Sequence, residues 1–174
     1  MFLRKRNNLE LNRPVIKLEA GPIDLILEIL AIVSLLCFLG FTLYSMTRLP
    51  ETIPTHFNSG GEPDTYGSKN SLWMLPVVAL VIYSILTLVG KIPEKFNYPV
   101  RITQANARVQ YTLRSRFLRY LKLAMVLMFF FISYKTVMIA LGNTRGLGMW
   151  FLPVFLGIIL IPIILYLILA RRAR

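Results

Sequence analysis

The chain has 174 residues, 56% of them hydrophobic, with a mean hydropathy of +0.61 and a formal charge of +12. That is far more apolar than a soluble domain, and the basic surplus lies between long apolar runs, so it reads as membrane topology rather than a nucleic-acid surface. The lone cysteine, Cys37, sits inside an apolar run, which excludes an internal disulfide and predicts a free thiol in the core.

Residues 1–22 read as a cytoplasmic tail able to lie on the lipid surface. Arg4, Lys5, Arg6, Arg13 and Lys17 outnumber Glu10 and Glu19, with Leu9, Leu11, Val15, Ile16 and Leu18 interspersed. A basic start before an apolar run also resembles a signal peptide, but the run is too long and no small-x-small cleavage site follows it. Ile23–Met46 predicts the first transmembrane helix, since about 20 apolar residues cross the hydrocarbon core. Asp24 and Glu28 stand four apart on one face at its inner end. Either they meet basic neighbours and water, or they form a proton or cation site.

The stretch Leu49–Lys69, LPETIPTHFNSGGEPDTYGSK, is a long polar segment between two strongly apolar ones, and it holds the single histidine, His56. Pro50, Pro54, Gly60, Gly61, Pro63 and Gly67 predict a shaped loop rather than a helix or strand. Leu49–Thr52 invites a sortase-signal reading, which fails because Ile53, not glycine, follows it and the segment lies early in the chain. Ile53, Phe57 and Tyr66 are expected to pack into the outer mouth of a helical bundle, while Asn58 and Asp64 cap local backbone groups. His56, Glu62 and Asp64 are capable metal ligands, but their spacing matches no metal signature. No metal or other cofactor is expected. His56 with either carboxylate could act as an acid–base pair. No nucleophile motif or phosphate-binding glycine loop stands nearby, so the chain is expected not to be an enzyme.

Leu72–Val89 predicts the second span, with Trp73 at its outer end and Pro76 near its first turn. Lys91–Phe117 is again basic. Ala105, Val109, Leu113 and Phe117 recur every four residues and predict an amphipathic helix, N-capped by Thr103, resting on anionic headgroups or receiving an acidic partner. Arg119 and Lys122 continue its basic face. Leu121–Leu141 predicts the third span. Lys135 lies inside it, about 9 Å from the outer end at 1.5 Å per residue. It should face the bundle, snorkel outward, or pair with Glu62 or Asp64. Gly142–Gly148 is a short outer turn, and Met149–Ala170 the fourth span. Trp150 marks its outer end, and Pro162 should kink it or open a backbone carbonyl.

The basic residues place both termini in the cytoplasm and the His56 loop outside. The expected protein is an all-α integral membrane protein, a four-transmembrane-helix bundle with an ordered extracytoplasmic loop between helices 1 and 2. It forms one membrane domain over residues 1–174. A two-span unit at 23–90 contains the outer loop 49–71; a basic segment at 91–120 precedes a second two-span unit at 121–170.

Leu49-Pro50, Ile53-Pro54, His56-Phe57-Asn58, Gly61, Pro63-Asp64, Gly67 and Lys69 together resemble the motif of the bacterial domain-of-unknown-function family 1648, LPxxIPxHFNxxGxPDxxGxK. That domain is also the N-terminal part of the SdpI-type immunity proteins. The resemblance covers Ile23 to about Val89, and residues 97–122 are similar to short four-span members. It implies a small, non-enzymatic protein of the bacterial plasma membrane that protects against a secreted membrane-active peptide. His56, Asn58, Glu62, Asp64, Lys69 and Lys135 are the residues expected to shape or line its ligand site. The expected partners are anionic lipid headgroups and a secreted peptide or small ligand, with no nucleic acid. Lys135, Pro162, Asp24 and Glu28 keep a small transporter or permease component open as an alternative, and His56 keeps a metal-dependent enzyme at the outer face.

Overall fold

The computed structural model describes residues 13–174; the basic cluster Arg4, Lys5 and Arg6 and the rest of the tail's start lie outside the described residues. Among the described residues, four α-helices carry the fold: α1 (Pro22–Met46), α2 (Met74–Gly90), α3 (Ala107–Ala140) and α4 (Phe151–Arg172). A 3-10 turn over Lys69–Trp73 runs straight into α2. With that turn counted, each of the four is long and apolar enough to cross a membrane, which makes this a multi-pass membrane protein.

Proline 22 opens α1 at a position where its missing N–H costs nothing, and Asp24 Oδ2 accepts the Gly21 N–H at 3.0 Å. The buried stripe of α1 is Ala31, Leu35, Phe38, Thr42 and Ser45, a four–three alternation that keeps one seam inward. Its hydroxyls are satisfied within the helix, Thr42 by Phe38 O at 2.9 Å and Ser45 by Phe41 O at 2.7 Å. Phe38 stacks on Phe130 of α3, and Leu35, Ala79 and Val126 complete the central core. The outward faces remain apolar, as at Leu36, Val77 and Ile161, and suit acyl chains rather than water. Cys37 lies on this exposed surface, not in the core as expected.

Helix α3 is the hub and packs on α1, α2, α4 and the polar segment after α1. The separate surface helix expected before the third span does not exist: both are one continuous rod of 34 residues. Its packed face at the basic end is Ala107, Gln110, Tyr111 and Arg114, while Val109, on the expected apolar face, is exposed. The reason lies in distant backbone. Gln110 Nε2 donates to Ala170 O at 2.7 Å and Ala173 O at 2.8 Å, using carbonyls left open at the end of α4. Arg114 reaches Val89 O at the end of α2 and lies over the Phe96 ring, 3.9 Å from its centroid. Tyr111 packs with Ile102, Tyr98, Ile16 and Leu18. Tyr98 donates to Pro93 O at 2.9 Å, and burial pushes its hydroxyl pKa up. Arg13 closes this end by donating to Glu94 O and Phe96 O.

Thr103 is not the N-cap expected: Asn106 holds that position, and Thr103 pairs with it in the turn before the helix. Thr103 Oγ1 accepts from the Asn106 N–H at 3.3 Å while Asn106 Oδ1 accepts from the Thr103 N–H at 2.8 Å, a reciprocal pairing one turn ahead of the helix. Pro162 lies inside α4 and frees the carbonyl four residues back, that of Ile158. Tyr120 of α3 donates its hydroxyl to that oxygen at 2.9 Å, tying α4 to the hub.

The polar segment is not the loop expected. It forms an antiparallel hairpin, β1 (Thr52–Phe57) with β2 (Pro63–Ser68), paired Thr52–Ser68, Ile53–Gly67 and Pro54–Tyr66 and irregular around His56. Two strands have only edges, so Pro54 and Pro63 cost no central ladder bond. Ile53 is buried as expected with Leu49, Leu72 and Val137; Tyr66 is exposed instead.

Candidate functional site

The hairpin is fixed at three places. At its base, Lys69 donates from its backbone to Glu51 O at 2.9 Å and from Nζ to Glu51 Oε1 at 2.8 Å. Its connection is shaped by Asn58, whose Oδ1 accepts the N–H groups of Gly60 at 2.9 Å and Glu62 at 3.0 Å. Its tip is clasped by the turn between α3 and α4. The Leu147 N–H donates to Gly61 O at 2.7 Å, and Gly61, at φ +79°, leaves no room for a side chain against Gly148.

Beneath the hairpin lies a groove of about 250 Å³. Strand β1 from Ile53 to Phe57 forms its roof, Leu72 and Leu75 one wall, Phe151 another, and Ser133 and Thr136 of α3 its floor. Ser133 is 1% exposed, and its hydroxyl finds no hydrogen-bond partner among the described residues. A buried, unpaired hydroxyl costs about 1–3 kcal/mol. At the rim, His56 Nδ1 and Asp64 Oδ1 are 2.6 Å apart, both facing solvent. The groove therefore offers apolar walls, a floor with the unpartnered Ser133 hydroxyl, and an imidazole–carboxylate pair at its mouth.

The six residues singled out from the sequence separate into different roles. His56 lines the groove and Asp64 orients it. Asn58 holds the turn, Lys69 the hairpin base, and Glu62 lends its backbone to the tip. Lys135 is half-buried and makes no ion pair with Glu62 or Asp64 among the described residues. Of its alternatives, the pairing is the one not seen: Asp64 is held by His56 and Glu62 sits at the tip. Ser133, Thr136 and Phe151 were missed. Their signal was two hydroxyl residues three apart within an apolar span, on one helix face. Among the described residues, no three of His, Cys, Asp and Glu converge as a metal site.

At the opposite end, Asp24 and Glu28 do meet basic neighbours. Lys122, 3% exposed, is inside the bundle rather than on a basic surface face. It donates to Glu28 Oε1 at 2.6 Å, Glu28 Oε2 at 2.7 Å and Thr87 Oγ1 at 3.1 Å. Tyr83 adds a hydrogen bond to Glu28 at 2.6 Å, and Arg116 and Arg119 flank Asp24 at 3.3 and 3.6 Å.

A helix, a proline-bearing hairpin and a second helix thus form one compact unit within a multi-pass membrane protein. Residues 32–80, which run from α1 through the hairpin into α2, match the family model of a domain of unknown function, DUF1648. An uncharacterized protein of Archaeoglobus fulgidus is 39% identical over 67 residues, covering 34% of this chain and 37% of that protein. The matched part thus spans little more than a third of that relative. No solved structure matches the chain.

Proposed function

We propose that this is a non-enzymatic plasma-membrane protein, similar to SdpI-type immunity proteins, that binds a secreted peptide or small amphipathic ligand beneath its hairpin. The hairpin faces the outside and both termini are cytoplasmic. The observation that carries the reading is the unpartnered Ser133 hydroxyl on the floor of an apolar groove. A bound apolar group with one donor or acceptor would satisfy that hydroxyl and fill the space, while the His56–Asp64 pair meets the ligand's polar end. Occupancy protects by holding the ligand at the protein and out of the lipid. The test is growth of a deletion strain challenged with the secreted products of neighbouring cells. Wild-type chain should restore growth; Ser133→Leu, which fills the groove and removes the hydroxyl, should not, at equal membrane abundance. Equal rescue by both, or no sensitivity on deletion, would sink the proposal.

A further inference from the structure

The end of the bundle opposite the hairpin contains a second pocket, of about 300 Å³, between α1, α2 and α3. Its two carboxylates are paired: Asp24 with Arg119 and with Arg116, which stands outside the lining, and Glu28 with Arg119 and Lys122. Lys91 lines the pocket and has no carboxylate partner among the described residues. Within the lining, Lys91, Arg119 and Lys122 exceed Asp24 and Glu28 by one charge, with Lys91 exposed at the mouth, and Arg116 beside the pocket adds a second. Asp24 is in the first turn of α1, and Gly90 ends α2, so the pocket opens at the depth of the helix ends. Glu28 and Lys122 lie about 6 Å deeper, one helical turn from Asp24. Leu25, Leu86 and Leu118 continue the lining, and Leu25 is 57% exposed on the face that meets acyl chains.

We propose that this pocket binds the phosphodiester headgroup of an anionic phospholipid, with Lys91 and Arg119 at the phosphate and an acyl chain running out over Leu25. Charge supplies the attraction. The apolar exit favours a lipid over free phosphate, because a soluble anion gains nothing from the leucines. The Ser115 hydroxyl accepts from Arg119 Nη1 at 2.6 Å and keeps its own O–H to donate, whereas Thr87 is taken up by Lys122. Gly90 lines the pocket, and a Cβ there meets nothing within 4 Å, so a larger side chain can be placed at the pocket edge without a clash.

The experiment is native mass spectrometry of the purified full-length chain after exchange from phosphatidylglycerol or phosphatidylcholine vesicles, with thermal unfolding alongside. Wild type should retain phosphatidylglycerol in preference to phosphatidylcholine. Lys91→Gln should weaken retention about fivefold, the share of one basic side chain near a charged surface. Gly90→Leu should abolish retention while leaving every charge in place. Arg171→Gln, a basic change at the same end outside the pocket, should leave it unaltered. Equal retention of the two lipids, undiminished retention in Gly90→Leu, or an equal loss in Arg171→Gln would each overturn the site in favour of diffuse surface attraction. Inorganic phosphate that raises the unfolding temperature as much as phosphatidylglycerol does would overturn the lipid assignment.

Discussion

Gly146→Ala tests how the α3–α4 turn holds the hairpin. A Cβ at Gly146 would overlap the carbonyl oxygen of Gly61, with Gly61 C only 3.3 Å and Glu62 Cα 3.5 Å away. All three obstacles are backbone, so no side chain can swing aside. The turn must withdraw, and the bond from the Leu147 N–H to Gly61 O, 2.7 Å long, goes with it. Overpacking costs about 1–3 kcal/mol and the lost hydrogen bond about 1 kcal/mol. The sum is about 2–4 kcal/mol, capped by the free energy of undocking the tip. Gly142 is the matched control: its φ is +78° but nothing lies within 4 Å of an added Cβ. Gly142→Ala should therefore cost only the left-handed conformation, about 1–2 kcal/mol. Thermal unfolding in detergent gives the ranking, and amide hydrogen exchange at Leu147 locates the change. If Gly146→Ala is no less stable than Gly142→Ala and the Leu147 amide stays protected, the clasp does not hold the hairpin.

Breaking the Glu28–Lys122 pair from one side, by Lys122→Met, should cost about 2 kcal/mol, the loss of a charged hydrogen bond, because Glu28 keeps Arg119 and Tyr83; adding Glu28→Gln should recover part of the loss in detergent unfolding. Without ligand, Ser133→Ala should raise stability by about 1 kcal/mol, since it removes an unsatisfied hydroxyl, and a fall of that size would mean that the hydroxyl has a partner. Cysteines at Ser59 or Ser68, introduced after Cys37→Ser, should react with impermeant thiol reagents in intact cells, whereas one at Ser115 should not; the reverse labelling would invert the topology.

The four spans were legible because a run of about 20 apolar residues is a property of one segment and needs no partner. So was the consequence of Pro162, since a missing N–H always frees the carbonyl four residues back; that Tyr120 would accept the task was not. The hairpin was hidden because prolines and glycines argue against a strand, and the argument in its favour is the pairing of Ile53 with Gly67 across the turn. The continuity of α3 was hidden for a similar reason. Gln110 and Arg114 look like solvent residues until the carbonyls at the ends of α4 and α2 are brought beside them. Asp24 and Glu28 find the basic neighbours that were one of their two readings, and of the readings left open for Lys135 the pairing with Asp64 meets a carboxylate that His56 already holds.

Helix α3 also sets a ruler between the two pockets. Lys122 and Ser133 are eleven residues apart, three turns along one face, and so about 16 Å apart on the axis. Every backbone hydrogen bond between them resists stretching, which makes the rod behave like a piston rather than a spring. A slide of α3 that widens the hairpin groove must carry Lys122 the same distance past Glu28 and Thr87, and a roll must turn both side chains through the same angle.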